Sequence, residues 1–276
     1  TIVLSDRLLR SWVRCKRKAW LDSHGDRRLR NWTAHQRLQL DHQQKSFSAL
    51  IKGKPGLGIQ GCKDGNSGVF GLKIKMELTS NLLVEVKPAL LQKTTGQSIW
   101  GNYSYRPVIA RQGKRTTREL RLYLALNSLL LEQVQEFPVP KGITVSQNSK
   151  GLEIDQISIN VGLKNQLISS LEGLKKDLKK EGPPPITKDR KKCIVCSWQK
   201  FCGLEAKSQG DLSQVNGIGQ KRRDVLQSLG INTIKDLADT NPEQLNQKLV
   251  NLSNQNQGLA KNIIKQAKCQ LSGKPE

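Results

Sequence analysis

The sequence has no apolar run of the roughly 18 residues that a membrane-crossing helix needs, and its mean hydropathy is −0.53. It also lacks a continuous apolar stretch near its start. TIVLSDRLLRSWVRCKRKAW is basic and interrupted by charges, unlike a secretory signal. Neither a membrane protein nor an exported one is expected, so the expected location is cytoplasmic and disulfides are not expected. Acidic residues are few: 23 Asp and Glu stand against 46 Lys and Arg, a formal net charge of +23. No repeat of solenoid period is present. Hydrophobic residues still make up 36% of the chain, and with the 23 glycines added the apolar fraction is near the globular norm, which excludes a wholly disordered polypeptide.

A charge of this size asks for a polyanionic partner. Lys and Arg are spread along the chain, with clusters at 14–18, 27–30, 111–121, 188–192 and 221–223. Spread basic charge on a folded chain favours nucleic acid over a membrane surface, which more often meets one amphipathic helix.

Hydrophobic spacing predicts a helix over 5–23, with Ser5 as its N-cap, and a second over 32–51. GVFGLKIKMEL (68–78) alternates as a strand does, TSN (79–81) is a turn, and LLVEVKPALLQK (82–93) is the returning strand. YSYRPVIAR (103–111) reads as a third strand and 116–135 as a strongly periodic helix. A hairpin follows at 142–147 and 151–159, then a helix over 161–180 broken by GPPP at 182–185. Strands interleaved with helices predict an α/β or α+β core in which helices flank a mixed sheet. Beyond about 210 only short helices with Gly and Asn turns remain. Two domains are expected, 1–208 and 209–276.

The six cysteines are unevenly placed. KCIVCSWQKFC carries Cys193, Cys196 and Cys202 as C-x2-C-x5-C, whereas Cys62 and Cys269 belong to no pattern. Three thiolates in one segment suit a soft or borderline metal, and Lys191, Lys192 and Lys200 supply positive charge that favours deprotonation. A fourth ligand is missing locally. His24 is one candidate, and Cys15, flanked by Arg14, Lys16, Arg17 and Lys18, is the better one. A zinc ribbon needs two close pairs. One distant cysteine plus a triplet fits a 4Fe-4S cluster better than zinc. Such a centre would act as a structural staple closing a long loop.

VNGIGQKRRDVLQSLGINTIKDLA (215–238) carries a second signal. Gly217 and Gly219 flank Ile218 ahead of a helix that bears Lys221, Arg222 and Arg223. Glycines allow a tight turn and close approach to a phosphate, and the helix start offers free N–H groups. The segment resembles the helix-hairpin-helix motif, which implies binding to DNA backbones without reading sequence. The helices of 241–268 read as packing partners or a degenerate second hairpin.

Taken together, the chain resembles the RecB-like nucleases of the PD-(D/E)XK superfamily. Members with an iron–sulfur cluster place one cysteine on the first helix and three after the core, as Cys15, Cys193, Cys196 and Cys202 are placed here. The resemblance implies a restriction-endonuclease-like mixed sheet and, when acids are present, Mg²⁺- or Mn²⁺-dependent phosphodiester hydrolysis. Aligning KPALLQK (87–93) and YRPVIARQGK (105–114) with the family's two strand motifs puts Ala89 and Ile109 where the acids belong and Arg111 where the Lys belongs. In that register the hydrolytic centre is degenerate. In a rival register Glu85 and Lys87 form a literal E-x-K, with Glu77 on the preceding strand as partner acid. His35 or His42 is the candidate for the family's helix histidine.

The expected function is therefore DNA binding by an iron–sulfur, RecB-like protein with a decayed nuclease centre. In it Arg106, Arg111, Arg115, Arg118 and Arg121 line the former cleft. The alternatives are an active metal-dependent nuclease using Glu77, Glu85 and Lys87, and a zinc-stabilised scaffold that leaves the charge unexplained.

Overall fold

The structure is a computed structural model that describes residues 2–79, 81–187, 190–253 and 258–272. Position 80 of the expected turn and positions 188 and 189 of the basic run at 188–192 lie outside them. Two compact units are present: Thr1–Asp26 with Thr33–Pro184, and Arg27–Trp32 with Pro185–Glu276. The sequence reading set its boundary near 208–211. By residue contacts the cysteine segment 193–202 belongs to the second unit.

The first unit is α+β. It begins with β1 (Leu4–Ser5), α1 (Asp6–Arg14), α2 (Lys16–His24) and α3 (Ala34–Leu50). Ser5 caps α1 as expected, its hydroxyl accepting from Leu8 N at 3.1 Å. The single helix expected over 5–23 is instead broken at Cys15, which takes an extended conformation, ends α1 and starts α2. Side-chain bonds fold the two halves together: Ser11 Oγ donates to Asp22 Oδ2 at 2.7 Å, and Lys18 Nζ reaches Ser11 Oγ at 2.8 Å.

After β2 (Gly56–Leu57) and α4 (Gly58–Lys63), the two long strands read from the sequence each divide in two. The first becomes β3 (Gly68–Phe70) and β4 (Ile74–Thr79), the second β5 (Leu82–Val86) and β6 (Leu90–Thr94). The breaks have physical causes. Gly71 sits at φ +71°, a left-handed bend. Pro88 has no N–H to give a ladder. On either side of it Lys87 N is taken by the Asp6 carboxylate at 3.0 Å and Ala89 N by the Tyr123 hydroxyl at 2.6 Å. The outer halves join β1 in a small sheet of order β1-β5-β4. The inner halves enter a six-stranded mixed sheet of order β2-β3-β6-β7-β8-β9, completed by β7 (Ser104–Ala110), β8 (Lys141–Asn148) and β9 (Gly151–Ser158).

Strand alternation gives the large sheet two apolar faces. Leu91, Tyr105 and Ile109 join the core that contains α5 (Arg118–Gln135) and α6 (Val161–Leu178). Leu90, Val108, Ile143 and Val145 pack with Phe47 of α3 on the other face. α5 is buried almost all round, with Leu122, Leu124, Leu126, Leu130 and Leu131 fully covered. Each such leucine contributes about 1.5–3 kcal/mol relative to exposure. Trp12 fixes α1 to α6 by donating from Nε1 to Asp177 Oδ2 at 2.8 Å.

The second unit is helical over its described residues, apart from one isolated bridge between Asp211 and Thr233. Its helices are α7 (Gln199–Ser208), α8 (Gln220–Ser228), α9 (Ile234–Ala238), α10 (Pro242–Ser253) and α11 (Leu259–Ser272), with short 3-10 turns at Arg27–Leu29, Arg190–Cys193 and Leu212–Gln214. Leu212, Val215, Ile218, Leu226, Leu237, Leu245 and Ile263 form its core. α9 starts with a capping box in which Thr233 and Asp236 exchange backbone bonds. No helix of the described residues is long and apolar enough to cross a membrane.

Candidate functional site

The pairing of β6 with β7 sets Leu90 opposite Val108. Ala89 immediately precedes β6, and Ile109 follows Val108 on β7. Both are apolar. Ala89 is partly buried, and Ile109, 2% exposed, is part of the core against α5. Neither side chain offers an oxygen to a hard cation.

Two residues on, Arg111 points a guanidinium into the protein. It is 3% exposed, with Nη2 2.8 Å from Glu153 Oε2 and Nε 3.0 Å from Asp155 Oδ2, both half-exposed on β9. Its Nη1 also donates to the Gly113 carbonyl. The Glu153 carboxyl is held below its ordinary range by the Asn148 amide and by Arg111. His42 of α3 faces the same turn, Nε2 lying 3.0 Å from the Arg111 carbonyl and 3.4 Å from Ser146 Oγ. That contact assigns a proton to Nε2, because a carbonyl only accepts. His35 instead meets Gln39, 3.0 Å away on its own helix. Glu153 and Asp155 escaped the sequence reading. Their signal was present in GLEIDQI, which puts two acids on one strand face, but their partner lies 42 residues away from Glu153.

The rival register lies in the small sheet. Glu85 Oε2 is 2.9 Å from Lys73 Nζ, and Glu85 stands opposite Lys75. Glu77 is exposed on β4 and pairs across with Leu83. Lys87 is exposed, and its backbone N–H is engaged by Asp6. Burial raises the Asp6 carboxyl above its ordinary range, opposed by N–H groups of Lys87 and Arg7. Among the described residues no three His, Cys, Asp or Glu side chains are gathered so as to hold a metal ion.

Each cysteine has a definite setting, and none is in a disulfide. Cys15 occupies the break between α1 and α2 in the first unit. In the second unit Cys196 N donates to Cys193 O at 2.9 Å, so the C-x2-C segment closes a tight turn. Trp198 N donates to Cys196 Sγ at 3.5 Å. An N–H aimed at sulfur is the support a metal-bound thiolate receives from its surroundings. Cys202, 9% exposed, lies in the first turn of α7. In donor type these residues suit a soft metal or an iron–sulfur cluster, but among the described residues no three of them are gathered as a metal site. Cys62 is fully buried and its thiol is pushed up to about 12 by that burial, the setting of an inert core residue. His24 stacks on Trp20 with ring centroids 4.7 Å apart.

The hairpin assigns different tasks to its residues. Gly217 is left-handed at φ +86° and Gly219 is extended. Ile218 between them is 6% exposed and anchors the turn in the second core. Gly219 gives α8 an N-cap with no side chain to occupy its first N–H groups. Lys221 is exposed beside that end. Arg222 donates from Nη1 to the Gly217 carbonyl, and Arg223 is bound to Asp211 at 2.7 Å. Arg223 thus has a packing role, which spacing alone did not reveal.

The five arginines expected in one cleft have different settings. Arg106 is bonded to Gln92, Arg111 is clamped, Arg115 is exposed in a loop, and Arg118 and Arg121 line an open groove beside the start of α6.

A family profile described as a domain of unknown function (DUF4332) matches residues 204–271, the α7 end, the hairpin and the helices after it. No curated protein matches the chain.

Proposed function

We propose that this protein binds DNA through backbone phosphates and that its RecB-like core has lost hydrolytic capacity. The observation that carries the reading is the hairpin. A buried isoleucine holds a Gly-Ile-Gly turn rigidly, and that turn presents the uncapped start of a nine-residue helix beside an exposed lysine. Such a start offers N–H donors and partial positive charge to a phosphate. The net charge of +23 suits the same partner.

Loss of hydrolysis is supported by the apolar side chains of Ala89 and Ile109 and by Arg111, whose cation is already neutralised by Glu153 and Asp155. No observation favours the E-x-K alternative, since Glu85 is neutralised by Lys73. Mg²⁺ or Mn²⁺ therefore has no part in the proposed activity. For Cys193, Cys196 and Cys202 the proposal is thiolate ligation of an iron–sulfur cluster in preference to zinc. Once bound, the cluster would supply iron–sulfur bonds that brace the chain.

The test is binding of a labelled DNA duplex to the full chain across a salt series. Lys221→Glu should weaken binding and reduce the slope of log K against log salt by about 1. Unaltered binding and slope would contradict the hairpin assignment.

A further inference from the structure

The core carries a basic groove of about 830 Å³ that the hairpin reading does not use. Its walls are the start of α5, the end of β9 and the first turn of α6, with Thr116, Arg118, Arg121, Gln156, Asn160 and Gln166 among its lining. No acidic residue is among its lining in the described residues. Arg118 and Arg121, three apart on one helix, project from the same face. Both are exposed, and neither has a carboxylate partner among the described residues. Arg118 is steadied by a 3.2 Å bond from Nη2 to Ser170 Oγ, which leaves the rest of its guanidinium to the groove. Arg10, Arg14 and Arg111 of the same unit are all matched to carboxylates. The starts of α5 and α6, each an 18-residue helix, add partial positive charge to the same space.

We infer that this groove is a second phosphate-binding surface, and that its ligand is the backbone of duplex DNA. The choice of duplex follows from what the two surfaces lack. Proteins that hold single strands stack bases on aromatic side chains. The groove has no aromatic lining, and residues 209–276 include no Phe, Trp or Tyr at all. Without aromatic platforms to stack bases, guanidiniums and amides on an open surface favour phosphate contacts. The inference rests on the DNA-binding reading and adds a site in the core to it.

The experiment measures binding of a labelled duplex by the full chain across a salt series, with unlabelled duplex and single strand as competitors. Arg118→Gln with Arg121→Gln should weaken binding and lower the salt slope by about 1.8, two phosphates at about 0.9 each. Arg118→Lys with Arg121→Lys keeps both charges and should keep the slope, which a merely structural role for the arginines would not do. Both arginines are exposed, so the pairs should leave Tm unchanged. If the Gln pair binds like the wild type while Lys221→Glu is weakened, the groove is overturned and the hairpin reading stands. If the wild type does not bind duplex even at low salt, the DNA-binding reading fails and the groove with it. If single strand competes as well as duplex, the duplex assignment is overturned.

Discussion

Arg111 offers the sharpest test of how the core holds a buried cation. Its guanidinium is 3% exposed and is met by two carboxylates from β9. Changing Glu153→Gln and Asp155→Asn together keeps the shapes and removes both counter-charges. A buried cation is then left with one backbone carbonyl, that of Gly113. Removing the partners of a buried charge costs about 3–5 kcal/mol. The lower end applies because both acids are half-exposed and water can partly replace them. A loss of about 3 kcal/mol in a unit of this size lowers Tm by roughly 6–12 °C. Differential scanning calorimetry, with the fluorescence of Trp12, Trp20 and Trp100 following the first unit, reads the shift. Arg111→Met combined with the same two changes should recover most of the loss, because no buried charge remains. A double variant with unchanged Tm, or a triple variant no better than the double, would refute the idea that Arg111 is held by charge.

Other outcomes follow from the same structure. Burial pushes the Asp177 carboxyl up, but the Lys180 ammonium, the Trp12 indole N–H and Lys16 outweigh it and hold it below its ordinary value of 3.8. The stabilisation is therefore present above that value and lost as pH falls through the lower folded value. Thermal unfolding from about pH 7 to about pH 3 should show a steeper acid-side decline for wild type than for Asp177→Asn, and parallel declines would contradict this. A Cβ at Gly173 would come within 2.9 Å of Trp12 Cζ2. Gly173→Ala should displace the indole and destabilise the first unit by roughly 1 kcal/mol even after its gain in helix propensity, whereas a stabilised variant would show the indole moving freely. Anaerobically purified protein should contain iron and acid-labile sulfide and absorb as an iron–sulfur protein does. Cys196→Ser should lose that absorption and Cys62→Ser should keep it. Zinc in place of iron would overturn the assignment.

Local chemistry was readable in the sequence where short-range bonds decide it. Ser5 caps α1, α5 and α6 follow their leucine stripes, and Cys62, which fits no motif, is a core residue. The breaks were harder. The periodicity of 5–23 runs straight through Cys15, and the bonds that fold the two helices together come from Ser11, Lys18 and Asp22. The alternation of 68–78 and 82–93 overran Gly71 and Pro88, although both are the residues expected at a bend. Assigning two strands to two sheets depends on Asp6 and Tyr123 capturing N–H groups across the core. For the candidate sites, the burial of Ile109 in a strand was readable from the apolar run around it. The Arg111 clamp was not, because it joins residues brought together only by the β8–β9 hairpin.

The central claim is that this chain grips DNA phosphates without cutting them, and one assay addresses both halves. Purified full-length protein is mixed with labelled duplex DNA across a salt series, with Mg²⁺ or Mn²⁺ present, and both bound fraction and strand length are read. Binding that weakens steeply and linearly on a log–log salt plot, with the DNA intact, is the predicted result. Metal-dependent cleavage that disappears in Glu85→Ala would contradict the account.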